Sequence, residues 1–139
     1  MTFTIHADGG ARGNPGPAGA GAVVRDELGN IVASVSKFLG RQTNNFAEYE
    51  AVIAAFEELE KIVPEAKRKS VEVEVKMDSM LVVRQMQGAW KIKHPNIKPQ
   101  QARLAAHIPQ FKSVTFTHVY REQNGDADAL ANEAMDRGA

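Results

Sequence analysis

The hydrophobic period of this chain changes partway along it, and that change constrains the fold more than any other feature. From Thr2 to Ala7 apolar and polar residues alternate, with Phe3, Ile5 and Ala7 on one face and Thr4, His6 and Asp8 on the other. Gly19 to Arg25 is small and β-branched, and Ile31 to Leu39 alternates again. Asp26-Glu27-Leu28-Gly29-Asn30 has the composition of a hairpin loop, so these three segments form an antiparallel meander. The spacing then lengthens. Asn44-Asn45 offers an N-cap, and Ala47, Ala51, Ala54, Ala55, Phe56, Leu59 and Ile62 recur at helical spacing until Pro64 stops the helix.

Strand and helix alternate beyond that point. Val71 to Met77 reads VEVEVKM, a period-2 strand, and Asp78-Ser79 ends it and caps a helix over Met80 to Gln87. Gly88 to Pro99, with two prolines and the lone Trp90, reads as an irregular connection. A short helix from Gln100 to His107, a strand from Val114 to Val119 and a helix from Ala127 to Arg137 complete the order. The expected class is α/β: a five-stranded mixed sheet in the order βββαβαβα, with helices packed on it.

With 139 residues, 43% of them hydrophobic, the chain is expected to form one domain over residues 1–139. It has no cysteine, and His6, His94, His107 and His118 lack metal-ligand spacing, so any metal must be held mainly by oxygen. No apolar run approaches the roughly 20 residues of a membrane span, and a cytoplasmic, monomeric protein is the expectation. Formal net charge is zero, from 17 basic and 17 acidic residues, so binding to nucleic acid would rely on local patches. Lys67-Arg68-Lys69 reads as a solvated loop.

Four acids occupy element ends or helix faces. Asp8 closes the first strand, Glu48 is expected in the first turn of the long helix, Asp78 closes the fourth strand, and Asp128 opens the last helix. Right-handed crossover rules make strands one and four neighbours, which brings Asp8 and Asp78 together. An inward carboxylate is costly unless it is paired or binds a cation. Four of them, with no matching Lys or Arg nearby in sequence, fit a divalent metal site. Oxygen-only ligation suits Mg²⁺, and two such ions would support phosphodiester hydrolysis. Each acid taken singly also reads as a cap or a solvated charge.

The set Asp8-Gly9-Gly10-Ala11-Arg12-Gly13-Asn14-Pro15-Gly16-Pro17, Thr43-Asn44-Asn45-Phe46-Ala47-Glu48, Met77-Asp78-Ser79 and Ala127-Asp128-Ala129-Leu130-Ala131-Asn132 resembles type 1 ribonuclease H, in order and over nearly the whole chain. The resemblance implies hydrolysis of the RNA strand of RNA–DNA hybrids to 5′-phosphate and 3′-hydroxyl ends. It implies Asp8, Glu48, Asp78 and Asp128 as catalytic metal ligands for two magnesium ions, with manganese as an alternative. It also implies that Gly9, Gly10 and Ala11 bring backbone up to the groove that displays 2′-hydroxyls, where a side chain at Gly10 would obstruct. Asn14 matches a groove contact, and Arg41, Thr43 and Asn44 match positions that hold a DNA-strand phosphate and the groove edge. Bacterial domains similar to this one form the N-terminal half of bifunctional actinobacterial proteins whose second half is phosphatase-like, so a fused C-terminal domain is a further expectation. Double-stranded RNA is a second candidate partner. The alternative reading is a non-catalytic module of the same fold that binds hybrid or double-stranded RNA.

The chain departs from the family pattern in three places. Well-known members carry a His in the loop before the last acid. Here the loop has none, and Arg121 stands seven residues before Asp128, where relatives lacking the His place an Arg. Met80 stands where many members have a Gln. A basic helical protrusion of many members is reduced to Gly88 to Lys98, where Trp90, Lys91, Lys93 and Lys98 leave a small basic-aromatic patch.

Overall fold

The alternating segments become strands because one face of each can be covered. In the computed structural model, which describes residues 1–91 and 95–139, Phe3, Ile5 and Ala7 of strand β1 (Thr2–Ala11) face inward and their neighbours are less buried. Strand β2 (Gly16–Arg25) is buried on both faces, and strand β3 (Ile31–Gln42) is an edge. Each of the three is longer than its alternation suggested, because β1 runs on through Gly9 and Gly10, which pair with Ala20 and Gly19 of β2.

Helix α1 (Asn44–Ile62) starts one residue earlier than the Asn-Asn pair implied. Thr43 is the N-cap, and its hydroxyl accepts the Phe46 N–H at 3.2 Å. Glu48 therefore lies in the second turn, not the first, and Ile62 at the far end is exposed. Strand β4 (Glu72–Met77) leads to helix α2 (Met80–Met86), capped by Ser79. Helix α3 (Lys98–His107), strand β5 (Ser113–His118) and helix α4 (Gly125–Arg137) follow. The connection between β4 and β5 holds both helices that the sequence placed there, so the full order is βββαβααβα, one helix more than the expected βββαβαβα.

The sheet order is β3-β2-β1-β4-β5, with β1 antiparallel to β2 and parallel to β4. Tyr49, Ile53, Phe56 and Leu59 of α1 are fully buried in one core with Ile5, Val73, Val75 and Met77. Residues Glu65–Ser70 form a 3-10 turn in which Lys67 and Lys69 are exposed, as expected, and Arg68 is half-buried. Arg68 there donates to the Val63 and Glu60 carbonyls at 3.1 and 2.8 Å and to Gln110 Oε1 at 2.8 Å, satisfying the end of α1. Among the described residues no helix is long and apolar enough to cross a membrane.

Candidate active site

Parallel register brings the first two acids together. Ala7 of β1 pairs with Met77 of β4, so Asp8 and Asp78, the next residue on each chain, stand side by side at the same end of the sheet. Glu48 arrives from α1, which rests directly on β1. A Cβ at Gly9 would lie 2.2 Å from the Ala47 carbonyl carbon, so only glycine permits that approach. Asp128 arrives from the first turn of α4, which rests equally closely on β2: a Cβ at Gly21 would meet the Ala127 carbonyl oxygen at 2.2 Å, and one at Gly19 would meet that of Ala131 at 2.5 Å. The four acids line one open pocket of about 460 Å³.

Neighbouring side chains hold the carboxylates. The Ser79 hydroxyl donates to Glu48 Oε2 at 2.7 Å and accepts the Val82 N–H at 3.3 Å. Asn132 Nδ2 donates to the Asp128 carbonyl at 3.1 Å and to its Oδ2 at 3.3 Å. Asn124, buried, donates through Nδ2 to the Ala7 carbonyl at 2.9 Å and to Asp78 Oδ1 at 3.5 Å. Arg121 Nη2 lies 3.8 Å from Asp128 Oδ1, with its side chain 75% exposed.

The electrostatics record an uncompensated cluster. Burial pushes Asp8 up to about 8, assisted by the Asp78 charge, by a hydrogen bond with Asp128 and by the charges of Asp128 and Glu48. Burial likewise raises Glu48 to about 7; the Ser79 hydroxyl opposes this and the Asp78 charge adds to it. The cations that line the pocket are Arg12 and Arg121, each at its rim. Among the described residues no three acids or histidines are set as they stand to hold one ion. An all-oxygen donor set, short of positive charge and holding protons near neutrality, fits a divalent cation.

Of the expected substrate-binding positions, several are joined in one chain of bonds. The Ala11 N–H donates to Asn44 Oδ1 at 2.7 Å, and the Asn44 N–H donates to Asn14 Oδ1 at 3.1 Å. Gly9, Gly10, Ala11 and Asn44 line the acid pocket, whereas Asn14 and Thr43 line a second cavity of about 270 Å³ together with Asn96. Arg41 is exposed near the end of β3 and lines neither. The expected obstruction at Gly10 has no counterpart inside the protein. A Cβ there would find its nearest atom, Met135 Cε, at 3.7 Å, so the internal demand for glycine falls on Gly9. Trp90, 47% exposed, and Lys91 line a separate cavity with Leu81 and Ala89, and Lys93 lies outside the described residues.

Arg12, Ser79, Asn96, Asn124, Asn132 and Met135 were absent from the sequence-derived site. Asn132 had a signal, since it lies four residues after Asp128 on one helix face. Asn124 had none: its partners are 117 and 46 residues away in the chain.

Comparison with known proteins places these features in a lineage. A family model described as reverse transcriptase-like matches residues 6–134. The chain is 44% identical over 140 residues to the bifunctional protein Rv2228c of Mycobacterium tuberculosis, all of this chain matching but only 37% of that protein. It therefore spans little more than a third of the length of the curated mycobacterial relatives it matches. The solved N-terminal RNase H domain of Rv2228c superposes with a TM-score of 0.90 at 43% identity, over 98% of this chain and 100% of that one. LC11-RNase H1, solved in complex with an RNA/DNA hybrid, superposes with a TM-score of 0.88 at 46% identity, over 97% of each chain.

Proposed function

The chain belongs to the type 1 ribonuclease H family, and on that premise we propose that residues 1–139 form one ribonuclease H domain, a metal-dependent endonuclease acting on the RNA strand of RNA–DNA hybrids. The observation that carries this reading is the gathering of Asp8, Glu48, Asp78 and Asp128 from four separate elements around one pocket, with Asp8 and Glu48 raised to about 8 and about 7 by burial and by the neighbouring carboxylates. Binding alone gains nothing from clustered negative charge beside a polyanion.

The four acids would hold divalent cations, magnesium first and manganese as the alternative, two when hybrid is bound. Bound there, the cations supply Lewis acidity and an acidified water. The protein's own groups do the positioning. Ser79, Asn124 and Asn132 fix Glu48, Asp78 and Asp128. Gly10, Ala11, Asn14 and Asn44 form the edge where 2′-hydroxyls distinguish RNA from DNA. Arg41 and Thr43 would take a DNA-strand phosphate, and Trp90, Lys91 and Lys93 a more distant stretch of backbone. In the reaction a water oxygen bonds to phosphorus, the P–O3′ bond breaks and the 3′-oxygen takes a proton, leaving 5′-phosphate and 3′-hydroxyl ends. Arg121, exposed beside Asp128, is suited to assist the strand that leaves. A phosphatase-like domain beyond residue 139 and a cytoplasmic location belong to the same proposal.

The test is cleavage of end-labelled RNA–DNA hybrid, single-stranded RNA and double-stranded RNA with Mg²⁺, Mn²⁺ or chelator. Hybrid-selective, metal-dependent cutting is expected, falling by at least about a hundredfold in Asp78→Asn, the scale of removing one preorganised electrostatic group. Hybrid binding without any cutting would instead support the non-catalytic module.

A further inference from the structure

A polyanion laid across four carboxylates must find positive charge at the rim, and the loop between β1 and β2 supplies a group that the family resemblance did not assign. Arg12 lines the acid pocket between Ala11 and the β2 strand. Its backbone is fixed: the Arg12 N–H donates to the Pro17 carbonyl at 2.9 Å, and Gly16 packs so closely beneath that a Cβ there would lie 2.1 Å from the Arg12 carbonyl oxygen. Its side chain is not fixed in that way. The Arg12 side chain is 48% exposed, and its ion pair is with Asp136 of α4, whose side chain is 69% exposed, at 2.5 Å from Nη2 to Oδ1.

Other arginines are committed differently. Arg68 makes three hydrogen bonds to protein oxygens and closes the end of α1. Arg25, only 24% exposed, is tied to Asp126 beside a cavity that the four acids do not line. Arg12 is poised at the acid pocket itself, paired to an exposed carboxylate that water already screens.

Resting on the hybrid-nuclease reading, we infer that Arg12 is a phosphate contact for the bound duplex and that Asp136 holds its guanidinium in place until a backbone phosphate takes over as its anion. Exchanging one oxyanion for another leaves the guanidinium paired throughout. A planar fork also suits a phosphate better than a point charge does. Asp136 is then a positioning residue that competes with substrate.

Binding of a fluorescein-labelled RNA–DNA hybrid, followed by anisotropy across a salt series, tests this. Carrying Asp78→Asn throughout keeps the probe intact, and circular dichroism melting confirms that each variant folds. Arg12→Ala should weaken binding about eightfold at 0.1 M salt and lower the slope of log affinity against log salt by about one, the counterion-release value of one phosphate contact. Arg12→Lys should restore the slope. Asp136→Asn should tighten binding a few-fold, and that gain should vanish when Arg12→Ala is added. An unchanged slope in Arg12→Ala, or an Asp136→Asn gain that persists without Arg12, overturns the inference while leaving the nuclease reading intact. A parent protein that neither prefers hybrid over single-stranded RNA nor, with Asp78 restored, cuts it removes both.

Discussion

Among the described residues, Asp8 is the carboxylate that burial and neighbouring charge raise furthest. Its carboxyl titrates at about 8 when folded against an ordinary value of 3.8, so the folded protein keeps a proton that the unfolded chain has lost at neutral pH. A carboxyl raised in this way contributes most stability below its unfolded value, and the contribution is lost as pH rises through the folded one. Asp8→Asn should therefore stabilise the protein in chelator at pH 9 by about 1 kcal/mol, roughly 3–4 °C in Tm, with the gain shrinking towards pH 4. Thermal melts across that range check it, and a gain independent of pH would assign the effect to something other than charge. Added Mg²⁺ should raise the Tm of the parent more than that of the variant, because the parent has the additional anionic ligand. Asp8, Asp78 and Asp128 could be picked out of the sequence because each sits where a strand's alternation stops or a helix begins, whereas Glu48 lies a turn inside α1 and came forward through the family motif. Asn124 could not, because what makes it matter is that one amide reaches both the Ala7 carbonyl and Asp78.

Elements meet here through glycine. Helix α1 touches β1 at Gly9, and α4 touches β2 at Gly19 and Gly21, which is how Glu48 and Asp128 come down to the level of Asp8. Two adjacent substitutions should consequently behave in opposite ways. Gly9→Ala forces a Cβ into the α1 backbone and should cost several kcal/mol, about 3 or more, with loss of activity through unfolding. Gly10→Ala has room inside the protein, so its Tm should stay within about 0.5 kcal/mol equivalent of the parent, while KM for hybrid rises if the backbone there meets substrate. Chemical denaturation beside steady-state kinetics separates the pair, and equal destabilisation by the two would contradict the close-approach argument. The strand and helix periods announced these elements, but their ends were set by contacts the periods do not encode. β1 continues to Ala11 because β2 offers it partners, and α1 begins at Asn44 because the Thr43 hydroxyl takes the Phe46 N–H.

For the molecule as a whole, zero net charge and a short basic segment leave few contacts to a nucleic-acid backbone. If about three phosphates are engaged, KM should rise about 40-fold between 50 and 200 mM salt, well below the loss expected of a protein gripping six to ten. A KM flat across that range would mean that recognition runs through the groove edge alone. By itself the sequence determined the class of fold and the order of the strands along the chain, because alternation, capping residues and Gly-rich turns act within a few residues of one another; the four acids came forward as catalytic ligands through the family resemblance. Tertiary structure decided which acids share a pocket, which glycine is a packing necessity, the work of Arg68 at the end of α1 and the pairing of Arg12 with Asp136. Those outcomes depend on strand register and on helices resting against a twisted sheet, distances that arise only when residues far apart in the chain are brought together.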